Sequence, residues 1–152
     1  MGVEIEHKYL VINDLYKEMA TDRLNIRQGY LNRNPDRTVR VRTVGDHGYI
    51  TVKGLNKGDR RLEYEYEIPV KDADEIINLA EPGVVEKTRY LVPFEGLVWE
   101  VDEFHGSLLG VVVAEVELPD QNISYSIPPF IGENITGDPR YYNSNLSDTS
   151  KI

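Results

Sequence analysis

Charge and apolarity alternate along this chain, residue by residue, in stretch after stretch, and that restricts its fold more than any other feature. The first such stretch is Val3-Glu4-Ile5-Glu6-His7-Lys8-Tyr9-Leu10. Glu4, Glu6 and Lys8 share one parity; Val3, Ile5 and Tyr9 share the other. Successive side chains of a β-strand leave on opposite faces, so one face is charged and the other apolar. A lone surface strand would read the same way, but this one is not alone. The pattern returns at Arg40/Arg42, Thr51/Lys53, Arg61/Glu63/Glu65/Glu67, Lys87/Arg89, Glu100/Asp102 and Glu115/Glu117. Between them stand Val39, Val41, Ile50, Val52, Leu62, Tyr64, Tyr66, Tyr90, Trp99, Val101, Ala114, Val116 and Leu118. Charge of both signs, repeated on one parity of so many strands, predicts a barrel with a charged lumen and an apolar exterior.

The rest of the chain fits that plan. Asn13-Asp14 can cap a short helix at 15–20. Strands follow at 24–32, 38–44, 49–53 and 61–70, the first of these carrying Ile26, Gln28, Tyr30 and Asn32 on one face. Gly45-Asp46-His47-Gly48 is a hairpin turn, and 54–58 a polar, mobile loop. At 72–80 the period changes to that of an amphipathic helix, with Pro82-Gly83 beyond its end. Further strands are predicted at 84–92, 97–104 and 110–118. Pro128-Pro129 opens a short helix, and Asp138-Pro139 another, reaching about Leu146. The fold class is mainly β: one domain over 1–152, an eight-stranded antiparallel closed barrel with a few covering helices. The outer apolar parity around Val39, Val41, Tyr64 and Tyr66 is wider than short helices can cover, which predicts a homodimer.

Composition removes several functions. With no cysteine there is no disulfide framework, thiolate nucleophile or cysteine zinc site, and a reducing, cytoplasmic location fits. No apolar run is long enough for a membrane span, and no signal-peptide pattern opens the chain. The net charge of −9 argues against a nucleic-acid partner. Yet Lys8, Arg40, Arg42, Lys53, Arg61, Lys87 and Arg89 all fall on the charged parity. Cations concentrated inside an acidic protein suit a small, dense anion.

Two kinds of chemistry suit such a lumen. Clustered carboxylates suit hard divalent ions held by oxygen. An internal ion-pair lattice would use the same residues, but the crowding of Glu4, Glu6, Glu115 and Glu117 favours a metal. Arginines or lysines at i, i+2, as in Arg40/Arg42 and Lys87/Arg89, present paired donors to phosphate oxygens. Metal and cations together are the parts of phosphoryl transfer. No phosphate-binding glycine loop and no Ser–His–Asp arrangement is present. His7, His47 and His105 read as structural or solvated, and Tyr30 as a wall residue placed to touch substrate.

These stretches resemble, in order, the CYTH superfamily of triphosphate tunnel metalloenzymes. Glu4-Ile5-Glu6-His7-Lys8 matches its ExExK signature. Thr38-Val39-Arg40-Val41-Arg42, Thr51-Val52-Lys53-Gly54, Glu63-Tyr64-Glu65-Tyr66-Glu67-Ile68-Pro69, Glu86-Lys87-Thr88-Arg89-Tyr90, Trp99-Glu100-Val101-Asp102 and Ala114-Glu115-Val116-Glu117-Leu118 follow. The stretch from Thr136 to Leu146 resembles the end of short bacterial members. The resemblance implies a triphosphate substrate and Mg²⁺ or Mn²⁺. It implies Glu4, Glu6 and Glu117 as ligands of the main ion, with Asp102 and Glu115 beside a second ion or the water. Lys8, Arg40, Arg42, Lys53, Lys87 and Arg89 would grip phosphates, and lumen parity adds Arg61. Lys53, Glu117 and Lys8 are the catalytic candidates. Hydrolysis of inorganic triphosphate is the expected activity. Cyclisation of ATP, hydrolysis of thiamine or nucleoside triphosphates, and non-enzymatic polyphosphate sensing are the alternatives. No adenine pocket is evident, which favours a substrate made only of phosphate.

Overall fold

The computed structural model describes residues 2–142 and 145–146. Its strands are β1 (Val3–Val11), β2 (Asp22–Asn32), β3 (Arg37–Val44), β4 (His47–Gly54), β5 (Arg60–Ile68), β6 (Val85–Phe94), β7 (Leu97–Phe104), β8 (Val112–Glu117) and β9 (Ile131–Asn134). The helices are α1 (Tyr16–Met19) and α2 (Val70–Ile77). Neighbouring strands run β5-β4-β3-β2-β6-β7-β8-β1, and β5 pairs back onto β1. Every pairing is antiparallel. The result is the closed eight-stranded barrel expected from the alternation, with β9 as an extra strand on β1.

β1 is where the barrel closes. Along one edge β8 pairs with Glu6 to Leu10. The other edge is divided. β5 pairs with Val3, Glu4 and Ile5, and β9 with Tyr9 and Val11. Between them the Glu6 N–H donates to the Asp59 carbonyl at 2.9 Å, and the Lys8 N–H to Thr136 Oγ1 at 3.0 Å. β9 departs from the sequence reading, which put a helix after Pro128-Pro129. Residues 129–130 form a turn and the chain then extends. Where β5 ends, the β1 backbone still needs partners, and β9 supplies them. Of the helix expected from Asp138 to Leu146, a 3-10 turn forms over Pro139–Tyr141; Asn143 and Ser144 lie outside the described residues.

The largest apolar clusters lie outside the barrel. Ile5, Tyr9, Tyr90, Val92, Trp99, Val101, Ala114 and Val116 are buried on the outer parity beneath α1 and the segment carrying Tyr125 and Phe130. Tyr16 of α1 packs edge-on against Tyr90 and Phe130, and its hydroxyl donates to Glu103. A second outer cluster joins Val41 to Ala73 and Ile77 of α2. Pro69 ends β5 and becomes the residue before α2, two positions earlier than the sequence suggests. Gly29 and Gly48 let α2 approach: a Cβ on either would meet Ala80 or Ala73 at 2.7 Å. A third cluster draws its strand residues from the inner parity. Val85, Phe104 and Val113, with Leu10 against them, pack with Leu108, Ile135 and Leu146. Tyr64 (47%) and Tyr66 (63%) remain exposed on the outer wall of β5, with Val52 and Leu62 beside them. Among the described residues no helix is long and apolar enough to cross a membrane.

Candidate active site

Barrel register brings the charged parities of distant strands together. Glu6 lies opposite Glu117, and Lys8 opposite Glu115, across β1 and β8. Glu4 lies opposite Arg61 across β1 and β5. Arg40 faces Thr51, and Thr51 faces Glu65. Arg89 faces Asp102 across β6 and β7. From Leu24 to Asn32 the inner parity of β2 is uncharged: Gln28 lies opposite Arg42, and Tyr30 opposite Arg40.

Four knots of charge organise the lumen. Lys53 Nζ donates to Glu4 Oε1 at 3.1 Å and lies 3.2 Å from Glu63 Oε2. Lys8 Nζ donates to the Tyr141 carbonyl at 2.9 Å and stands 3.3 Å from Glu115 Oε1, off the line of a hydrogen bond. Arg42 donates to Glu65 at 3.1 Å, and the Thr51 hydroxyl donates to the same oxygen at 2.8 Å. Deepest is Asp102. Arg89 grips both its oxygens, at 2.8 and 3.0 Å. Lys87 Nζ adds charge at 2.8 Å, in ion-pair rather than hydrogen-bond geometry, and lies 5.4 Å from the Phe104 ring centre.

Titration of these groups follows from burial and crowding. Burial raises the Glu6 carboxyl well above the ordinary range, and Glu115 and Glu4 add to it. Burial likewise raises Glu4, with Lys53 opposing, and raises Glu117 with help from Glu4, Glu63 and Glu100. Burial opposes charge on Glu115 too, but Lys8, Arg89, Lys87 and a hydrogen bond from Glu6 hold it well below the usual range. Asp102 is held down to about 2, burial being outweighed by Arg89 and Lys87. Burial lowers Lys87 to about 8 despite Asp102, and lowers Arg42 to about 10 with Arg40 and Arg89 adding repulsion. Lys53 is raised, because Glu4, Glu6 and Glu63 outweigh its burial.

A cleft opens on this lumen between the loop at 55–59 and the segment at 135–142. Glu4, Glu6, Lys8, Arg40, Lys53 and Arg61 all line it. Arg42, Lys87, Arg89, Asp102, Glu115 and Glu117 are not part of that lining. Buried donors remain without partners in the lumen: Nε of Arg40, Arg42 and Arg61, and the Gln28 amide. Such groups are costly to leave dry and unpaired, so the wall is built for an acceptor-rich occupant. Sequence reasoning did not find Asn56, Asp59 or Tyr142 in the cleft. Asn56 donates to the Tyr142 hydroxyl at 3.0 Å, tying the loop to the C-terminal segment. Of the three, Tyr142 alone lay in a stretch the resemblance covered, Thr136 to Leu146, and no site role was read there. The histidines are structural or solvated, as read: His7 bridges Asp59 (2.9 Å) and Tyr125 (2.5 Å), His105 pairs with Thr88, and His47 sits in the open beside Glu67.

The CYTH domain model matches residues 2–150 of this chain. The chain belongs to the CYTH family. An inorganic triphosphatase of Acetivibrio thermocellus is 55% identical over 147 residues, covering 96% of this chain and 94% of that protein. An inorganic triphosphatase of Nitrosomonas europaea is 34% identical over 148 residues, covering 95% and 96%. A crystal structure described as an inorganic triphosphatase superposes with a TM-score of 0.65 at 32% identity, covering 95% of this chain and 97% of that one. The ordered motifs therefore identified the family correctly.

CYTH membership implies a divalent metal. Among the described residues no three acidic or histidine side chains stand close enough to hold one as they are placed. Chemically the donor set fits. Glu4, Glu6 and Glu117 are hard oxygen donors, each raised first by burial and then by neighbouring carboxylates, Glu4 being one of those that raise Glu6 and Glu117; a divalent cation would relieve that crowding. Asp102 differs, since both its oxygens are already taken by Arg89.

Proposed function

We propose that this chain hydrolyses inorganic triphosphate to pyrophosphate and phosphate, using a divalent ion, Mg²⁺ or Mn²⁺. The observation that carries the reading is the set of buried, unpartnered guanidinium N–H groups on β3 and β5, in a lumen walled by lysines and carboxylates. Their natural occupant is a compact polyanion. Relatives at 55% and 34% identity that are named inorganic triphosphatases support it. Glu4, Glu6 and Glu117 hold the ion, with Glu115 beside them, and Asp102 serves instead to fix Arg89 and Lys87. When bound, the ion neutralises phosphate oxygens and makes water more nucleophilic. Lys8, Arg40, Arg42, Arg61, Lys87 and Arg89 hold the phosphate chain in line, and Glu117 orients the attacking water. Water adds to the terminal phosphorus, the bridging P–O bond breaks, and pyrophosphate leaves.

A phosphate-release and cyclic-AMP assay over inorganic triphosphate, ATP and thiamine triphosphate, with Mg²⁺ and Mn²⁺, tests this reading. Inorganic triphosphate should be cleaved far faster than ATP, with little cyclic AMP. Equal rates, or cyclic AMP as the main product, would overturn the substrate assignment.

Lys53 stabilises the leaving pyrophosphate. It is held charged by Glu4 and Glu63 and lines the cleft. Loss of such a donor typically costs about 10²–10³-fold in rate. Lys53→Ala should therefore lower kcat by that order and move KM far less; a change confined to KM would assign Lys53 to ground-state binding instead.

A second copy of the chain covers the exposed Val52, Leu62, Tyr64 and Tyr66 face, making a homodimer that acts in the cytoplasm on a small-molecule substrate, away from membranes and nucleic acids. Light scattering at micromolar concentration should give twice the 17.4 kDa chain mass. A monomer mass rejects the dimer and leaves the activity untouched.

A further inference from the structure

Gln28 stands out among the lumen residues. It is fully buried, yet neither its amide nitrogen nor its amide oxygen has a partner. Its direction is fixed by its neighbour. A Cβ on Gly29 would point at Ala80, Ile77 and Val84, the α2 side of the wall, so Gln28 points the other way, into the lumen. Its cross-strand partners are Arg42 on β3 and Val85 on β6. Tyr30 and Ile26, two residues to either side, lie opposite Arg40 and Lys87. Arg40 Nε, Arg42 Nε and Lys87 Nζ are also buried without a hydrogen-bond acceptor. The unpaired amide thus sits on a wall whose guanidinium Nε groups lack acceptors and whose lysine is held by an ion pair to Asp102 alone.

A buried amide left dry is unfavourable, and a site that keeps one is built to be completed by a ligand. We propose that Gln28 is a substrate-binding residue, its amide N–H donating to a non-bridging oxygen of the phosphate that Arg42 and Lys87 grip. Its amide oxygen accepts the Arg42 Nε–H when the side chains gather round the anion. The inference rests on the triphosphatase reading and adds a neutral contact to it. Neutrality has a reason here. Burial opposes the charge on Arg42, and Arg40 and Arg89 add repulsion. Another cation would deepen that strain, whereas an amide adds a hydrogen bond without it.

Gln28→Met tests the proposal, because it keeps the length of the side chain and removes both polar atoms. Two readouts are taken on wild type and variant: steady-state hydrolysis of inorganic triphosphate with Mg²⁺, and the rise in Tm that triphosphate produces without metal. The variant should melt at the wild-type temperature or above, since a dry amide has become apolar. KM should rise about tenfold or more, as for loss of a hydrogen bond to a charged group, and the triphosphate-induced Tm rise should shrink. Gln28→Glu, of the same shape but with a carboxylate facing the anion, should lose more affinity than Gln28→Met. A Gln28→Met protein that melts lower with unchanged KM would make the amide structural and overturn the proposal; unchanged KM in Gln28→Glu would do so independently. Should wild type bind triphosphate but not cleave it, the assigned reaction fails while the Tm arm still decides Gln28.

Discussion

Glu6→Gln and Glu117→Gln should each reduce triphosphate hydrolysis by at least about 10²–10³-fold, with the metal-free protein still folded. Each removes a charge from the proposed metal cage and keeps its shape. Glu6 is the sharper case, because its carboxyl is already raised by burial, Glu115 and Glu4. The amide therefore mimics the state the metal-free fold prefers, and its Tm should change little or rise. pH adds a signed test. With its folded pKa above the unfolded value, Glu6 makes the fold bind more protons than the unfolded chain. Its contribution to stability is present below the ordinary carboxylate range and is lost as pH rises through the folded value. A divalent ion needs the deprotonated form, so the Tm gain from Mg²⁺ should grow with pH through that window. Glu6→Gln should flatten the dependence. Full activity in excess chelator would end the metal reading.

Arg89→Met should destabilise the protein by about 3–5 kcal/mol, because it leaves a buried carboxylate without its main partner. Asp102 and Arg89 are both buried, and the guanidinium grips both carboxylate oxygens. Lys87 is a weaker substitute, since it meets Asp102 at 2.8 Å in ion-pair rather than hydrogen-bond geometry and cannot grip both oxygens. For a chain of this length the loss corresponds to a fall in Tm on the order of 10 °C. Asp102→Asn added to Arg89→Met should restore part of it, since the stranded charge is gone. A double variant as unstable as the sum of its singles would show that the pair is not coupled. The linkage has the opposite sign to that of Glu6. Asp102 is held down to about 2, so its contribution is present above the ordinary carboxylate range and is lost as pH falls toward that value.

Much of the barrel was legible because a strand writes its two faces in alternate letters. Glu4, Lys53, Arg89 and Glu115 could be assigned to the lumen before any contact was known. What alternation could not give was the partner of each. Asp102 shares its parity with Glu100, and nothing in the spacing shows that Arg89 occupies both its oxygens. β2 was found as a strand, and Tyr30 was read as placed to touch substrate, but an uncharged amide between Ile26 and Tyr30 gave no reason to single out Gln28. β9 was missed for a different reason. Ile131-Gly132-Glu133-Asn134 is too short to show a period, and it is extended because β1 has an unpaired edge there, a demand made by tertiary structure. The same holds for the segment at 135–142, whose place at the cleft follows from the Lys8 and Asn56 hydrogen bonds.

The packing of this barrel is inverted, with its principal oily layers between the outer wall and the helices. Inheritance feels that arrangement. In most enzymes a change that retunes the reaction also disturbs the residues that hold the chain folded. Here, away from the Asp102 knot, an inward position can drift from one donor to another while the outward neighbours on the same strand keep their packing. One scaffold can then explore many substrates by small steps, each tested by selection for chemistry more than for survival of the fold.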